Sequence, residues 1–147
     1  MESNELKGTP SELWLATGHR YRAKSRLDYP LFLDDSPSVQ AVMDALEGKV
    51  SPVVLIGGCE PTLRKDLPSL ISKLAGITSG KLGIWTDGLA LQSKAIVTGL
   101  KGMGLDVVRI PLHSGRSDAH DWIAAVSGAS RRAAKAIRLC SEAGLEV

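Results

Sequence analysis

The sequence predicts an α/β fold built on a parallel sheet, and three observations carry that expectation. Four short, β-rich apolar segments recur along the chain, Leu13 to Thr17, Val53 to Ile56, Lys81 to Thr86 and Asp106 to Leu112. Each is followed by a stretch with helical patterning, and strands alternating with helices mean parallel βα units. The helical stretches also carry punctuation at their ends, in the form of cap residues, first-turn prolines and terminal glycines.

The first strand, Leu13 to Thr17, follows eight or so polar residues, so residues 1–10 are expected to be a flexible N-terminus and residues 11–147 a single domain. Ser36 before Pro37 marks the start of the helix after strand one. Asp66 before Leu67 and Pro68 marks the helix after strand two. In the last helix Ala133, Ile137 and Cys140 recur at spacings of four and three, with Arg131, Arg132, Lys135 and Arg138 largely around the other face. That is the pattern of an amphipathic helix covering a sheet, and Gly144 closes it. Leu145 to Val147 then reads as the start of a fifth strand. No internal repeat, low-complexity tract or linker interrupts the pattern.

Composition narrows the function classes. The chain has 147 residues, a formal charge of +2 and 44% hydrophobic residues. At this length about 70% of the unfolded surface can be buried, so a core forms without disulfide staples. The small net charge argues against bulk attraction to nucleic acid or to a membrane. With no signal peptide, no long apolar span and only Cys59 and Cys140 as thiols, the expected setting is cytoplasmic with reduced cysteines. Two cysteines supply neither a four-cysteine zinc site nor the three thiolates of a catalytic iron–sulfur cluster, and no metal site is expected.

In parallel α/β folds ligands bind at the carboxyl ends of the strands, where loops converge on helix N-termini. After strand two comes Ile56-Gly57-Gly58-Cys59-Glu60-Pro61-Thr62-Leu63. The two glycines let backbone approach a ligand, Glu60 offers a carboxylate to an ammonium group, and Pro61 stiffens the turn. A generic tight turn accounts for the same residues. After strand three comes Thr86-Asp87-Gly88, which also reads as an ordinary Asp-Gly turn.

After strand four, the run from Leu112 to Trp122 holds His113, Ser114, Asp118, His120 and Asp121. The spacing of His113 and His120 does not place two ligands on one helical face; the plainer reading has Asp118 capping a helix and Trp122 packing on it. After strand one, Gly18 to Arg26 carries four fixed positive charges in seven positions. A solvated loop is the plainer reading there, since a single aromatic, Tyr21, gives no interleaved stacking platform for nucleic acid.

Together these strand ends resemble the radical S-adenosylmethionine enzymes. Gly57-Gly58-Cys59-Glu60-Pro61-Thr62-Leu63-Arg64-Lys65-Asp66-Leu67 is similar to the family's Gly-Gly-Glu-Pro segment and its continuation. Thr86-Asp87-Gly88 is similar to its Thr-Asn-Gly, and Leu112 to Trp122 looks like a Leu-His-Ser-Gly segment of some members. The resemblance runs from about Leu13 to Val147. It implies a partial (β/α) barrel of four to five parallel strands, truncated relative to the family's (β/α)6 barrel. It also implies that S-adenosylmethionine meets Gly57, Gly58, Cys59, Glu60 and Pro61 at its amino end, and Thr86, Asp87, His113 and Ser114 toward its adenosine end. Cys59 stands where the family usually has a glycine.

One departure governs the functional reading. The family's C-x-x-x-C-x-x-C motif, which holds a 4Fe-4S cluster, belongs after strand one, where this chain reads Gly18 to Asp28 without a cysteine. The expectation is a radical SAM-like domain that is catalytically inactive as it stands, or a fragment of a longer enzyme. The alternatives are a module binding S-adenosylmethionine or a nucleotide, with the basic loop meeting a carboxylate or phosphate, and a partner-binding or self-associating protein that uses an open strand edge. His113 and His120 are the candidates for residual acid–base work. His113, at a strand end, is the better placed, against the reading that it is a hydrogen-bonded structural histidine.

Overall fold

A computed structural model describes residues 11–18, 25–26 and 36–147. The expectations for residues 1–10 and for most of the basic stretch, His19 to Lys24, lie outside the described residues. The elements follow in the order β1 (Leu13–Ala16), α1 (Val39–Leu46), β2 (Val53–Gly57), a 3-10 turn (Pro61–Leu63), α2 (Leu67–Ala75), β3 (Lys81–Trp85), α3 (Lys94–Gly102), β4 (Val107–Arg109), α4 (Ser117–Ala124) and α5 (Ala129–Glu142).

The four described strands form one parallel sheet in the order β1-β2-β3-β4. Parallel neighbours need a crossover, and α1, α2 and α3 supply one at each step. The sheet is a partial barrel wall, as expected from the alternation. The expected fifth strand begins as a single parallel bridge from Glu146 to Val107. Strand four is shorter than expected, because only Val107–Arg109 pairs with β3. Beyond Arg109 the chain runs past Ile110 and Pro111 to α4, and proline has no amide to extend a ladder.

Alternation within each strand decides which face is covered. Leu15, Val54, Ile56, Leu82, Ile84 and Val108 pack into one core with Val42 and Leu46 of α1, Leu67, Leu70, Ile71 and Leu74 of α2, Val97 and Leu100 of α3, and Ala136 and Cys140 of α5. Helices α1, α2, α3 and α5 therefore lie against one face. The other face carries Trp14, Leu55, Gly83 and Val107 as register partners, with Ala16, Gly57, Trp85 and Arg109 one step nearer the carboxyl ends.

The helix starts are close to those expected, with two differences. The cap of α1 is Ser38, whose hydroxyl accepts from Ala41 N, so the helix begins two residues after the Ser36-Pro37 pair. Asp66 does occupy the N-cap of α2, with Pro68 in the first turn, but its carboxylate makes no cap bond because Arg64 holds it. In α5 the buried line is Ala129, Ala133, Ala136 and Cys140, with Ile137 only half-buried. No helix among the described residues is long and apolar enough to cross a membrane.

Candidate functional site at the carboxyl ends of the strands

The turn after β2 is built around Glu60. Its side chain is 4% exposed, yet it is not an isolated buried charge. Oε1 accepts from Thr62 N at 3.1 Å and from the hydroxyls of Thr62 and Thr86, the latter at 2.7 Å. Oε2 accepts from Asp87 N at 2.7 Å. Glu60 thus fastens the end of β2 to the end of β3, and its own turn is set by Gly58 at φ +74° and by Pro61 opening the 3-10 turn. The carboxylate that the sequence offered to an ammonium ligand is largely taken by the chain's own donors, leaving acceptor capacity on Oε2.

The turn after β3 is organised in the same way. Gly88 N donates to Thr86 Oγ1, Leu89 N donates to Asp87 Oδ1, and Gly88 adopts φ +74°. Asp87 therefore forms an Asx turn, as an Asp-Gly pair does when the aspartate accepts from the amide two residues on. Through Glu60, Thr86 and Asp87 at the end of β3 are tied to the turn that holds Gly58 and Cys59.

Cys59 occupies a tight space. Its thiol lies 3.7 Å from Thr17 Oγ1, and a Cβ on Gly18 would stand 3.1 Å from Cys59 Sγ and 2.9 Å from Ser36 Oγ. The side chain at the family's usual glycine position is accommodated because Gly18 has none. Burial pushes the Cys59 thiol above its ordinary pKa, with the neighbouring Glu60 charge adding to this, while Thr17 and Arg64 work in the other direction.

Arg64 was not singled out from the sequence. Its side chain is 7% exposed and makes a two-pronged contact with Asp66, Nε to Oδ1 and Nη2 to Oδ2, both at 2.9 Å. Nη1 donates to the carbonyls of Thr17 and Pro37, the latter at 3.0 Å. One guanidinium thus ties the point where the chain leaves β1 to the point where it returns toward α1. Beside it lies an open cavity of ≈ 410 Å³ whose lining includes Gly18, Ser36, Ser38, Cys59, Glu60 and Lys65. The sequence signal for Arg64 was its place in the continuation of the Gly-Gly turn, but nothing there indicated backbone carbonyls as its targets.

The segment after β4 differs from its plainer reading. The N-cap of α4 is Arg116, and Asp118 pairs with the Arg116 guanidinium at 2.6 Å instead of capping. Trp122 is 63% exposed and does not pack into the helix layer. The Arg26 guanidinium stacks 4.6 Å from its ring centroid, while Arg26 N and Nε donate to the carbonyls of Ile123 and Trp122. Asp121, unassigned in the sequence, accepts from Gly128 N at 2.6 Å and Ser130 N at 2.8 Å and so caps α5 from outside it.

The two histidines meet. His113 N donates to His120 Nδ1 at 3.2 Å, and the rings stack with centroids 5.4 Å apart. His120 is buried, and that desolvation, with the nearby His113, lowers its pKa against a smaller opposing pull from Asp121. Ser114 Oγ accepts from Arg116 N, so this side chain shapes the loop. Among the described residues no group of three His, Cys, Asp or Glu side chains is gathered to hold a metal ion.

Comparison with known proteins matches this geometry. Residues 26–147 match the Radical SAM superfamily, a stretch that holds β2, β3, β4 and their turns and begins beyond β1. The chain is 34% identical over 108 residues to the Fe-coproporphyrin III synthase of Methanosarcina barkeri, covering 74% of this chain and 26% of that protein. It is 45% identical over 69 residues to a probable GTP 3',8-cyclase of Sulfolobus acidocaldarius, covering 47% of this chain and 21% of that protein. It is 29% identical over 151 residues to the pre-heme d1 synthase of Dinoroseobacter shibae, covering 96% and 36%. The chain therefore spans about a fifth to just over a third of the length of these curated relatives. With the Gly-Gly-Cys-Glu-Pro turn and the parallel half-barrel in place, the match over residues 26–147 makes this chain a member of the radical SAM superfamily.

Proposed function

We propose that this chain is an S-adenosylmethionine-binding domain that does not itself cleave its ligand reductively. The observation that carries the reading is the position of its two thiols relative to the strand-end turns. The family's 4Fe-4S cluster calls for three thiolates on one loop. This chain has two cysteines. Cys59 is wedged under Gly18 at the end of β2, and Cys140 is fully buried on α5 beneath the sheet, its pKa raised to about 11 by burial. The donor set does not fit the cluster, and no step is derived through it.

What remains for the chain is binding. The Gly57-Gly58-Cys59 backbone and the remaining acceptor capacity of Glu60 Oε2 suit an ammonium group. The cavity beside Ser36, Ser38 and Lys65 suits the adjoining carboxylate. Thr86 and Asp87, braced to Glu60, lie on the side assigned to the adenosine end, with His113 and Ser114 on the next strand end. The activities in the relatives' names belong to much longer proteins and are not proposed for this chain alone.

Calorimetric titration of the full chain with S-adenosylmethionine tests the reading. Saturable heat at one site per chain, weakened by Glu60→Gln, is expected. No heat and no thermal shift at millimolar ligand would overturn it.

A further inference from the structure

The loop that carries the chain from β4 into α4 has little to hold it. Strand β4 pairs with β3 only as far as Arg109, and among the described residues 111–115 take part in no backbone–backbone hydrogen bond. Pro111 has no amide to offer, and Leu112 is exposed. Ser114 Oγ accepts from Arg116 N at 3.1 Å, a bond that stays at the entry to the helix. Among the described residues, one bond reaches from the loop to the body of α4. His113 N donates to His120 Nδ1 at 3.2 Å, with the two rings stacked at 5.4 Å between centroids.

That bond fixes the state of the imidazole. An N–H aimed at Nδ1 needs a lone pair there, so His120 carries its proton on Nε2 while the bond lasts. A proton added to Nδ1 from solvent sets two donors against each other, and the bond is lost. His120 is buried and its backbone N donates to the Arg116 carbonyl at 3.0 Å, so the ring is carried on an intact helical turn. The loop has fewer ties and is the part that gives way.

The charges around His120 leave the neutral ring favoured. Burial and then His113 disfavour its charged form, while Asp121 on α4 opposes them through its charge alone, without a hydrogen bond to the ring. Asp121 is itself engaged by Gly128 N and Ser130 N, and the α5 charge that acts on it is Arg131. Arg116, at the start of α4, is paired with Asp118 at 2.6 Å.

We infer that the His113–His120 contact is an acid-sensitive latch: neutral His120 holds the loop between β4 and α4 against the helix, and protonation at Nδ1 releases it, freeing His113 and Ser114 from the strand end. This goes beyond S-adenosylmethionine binding at the Gly-Gly turn and stands without it.

The test titrates the 15N-labelled full chain from pH 7.5 to pH 5, following the backbone amide at position 113 and the His120 ring nitrogens. The ring is expected as the Nε2–H tautomer at pH 7.5, and the amide should move with the ring in one step, its midpoint below the usual histidine value of about 6.5. His113→Ala removes the second titrating ring but keeps the donor, which is a backbone amide. There the step should persist, with its midpoint closer to the usual value. Adding His120→Asn, whose side-chain oxygen takes the place of Nδ1 and does not titrate, should abolish most of the movement. The amides of Ile56 and Ile84 in the sheet should stay in place throughout. An Nδ1–H tautomer at pH 7.5, an amide that stays still in the parent or in His113→Ala while the ring titrates, equal movement after His120→Asn, or a step shared by Ile56 and Ile84 would overturn the proposal.

Discussion

Replacing Glu60 by glutamine tests the strand-end architecture through its most connected side chain. The substitution keeps shape and volume but turns one carboxylate oxygen into an NH2 group. Three donors converge on Oε1, so the amide nitrogen is left facing Asp87 N–H, which donates to Oε2 at 2.7 Å in the parent. A hydrogen bond to a charged group contributes about 1.5–3 kcal/mol net. The Oε1 bonds also fall from charge-assisted to neutral strength, roughly a halving. At 4% exposure water does little to repair the loss. Together these give a destabilisation of about 3 kcal/mol, which at a urea slope of about 2 kcal/mol/M lowers the midpoint by roughly 1.5 M. The assay is urea unfolding followed by far-ultraviolet circular dichroism and by tryptophan emission, to which Trp85 beside Thr86 contributes. Thr86→Val alone and combined with Glu60→Gln completes a double-mutant cycle, expected to show a coupling of about 1 kcal/mol. An unchanged midpoint for Glu60→Gln, or strictly additive effects, would refute the view that Glu60 binds β2 to β3.

Arg64→Met should lower the melting temperature by roughly 5–10 °C, because the carbonyls of Thr17 and Pro37 and the Asp66 carboxylate lose one shared partner. Arg64→Lys should recover less than half of that, since an ammonium group cannot fork; full rescue by lysine would count against the clamp. His120, its pKa lowered by burial and by His113, is more easily protonated in the unfolded chain, so its contribution to stability is present above the unfolded value near 6.5 and is lost as pH falls below it. Urea midpoints measured from pH 7.5 to pH 5 should fall, and the fall should shrink in His120→Gln; an equal slope in both proteins would refute the assignment. Both thiols, held above their ordinary pKa by burial, should react slowly with a disulfide reagent at pH 7.5 and rapidly in urea, and fast labelling of either in the native chain would contradict their burial.

Much of the fold was legible because strand residues buried on both faces and capped helices leave strong local marks. Leu67-Pro68 after Asp66 and Gly144 after α5 fell at their expected places. The shortfalls came where tertiary contacts override local patterns. Asp118 reads as a cap, yet Arg116 is close enough to take its carboxylate. Trp122 reads as packing, yet the Arg26 guanidinium over its ring supports it at the surface. At the site, the sequence singled out Glu60, Thr86 and Asp87 separately. That one carboxylate joins them depends on parallel pairing of β2 and β3, which spacing along the chain does not encode.

The chain keeps the strand-end turn of its family without the three thiols that a cluster needs. Anaerobic reconstitution of the full chain with iron and sulfide, followed by iron and sulfide counts and electron paramagnetic resonance of the reduced sample, tests this most directly. The expected result is no stoichiometric cluster, and no 5′-deoxyadenosine formed from S-adenosylmethionine under reduction. One 4Fe-4S cluster per chain would contradict it.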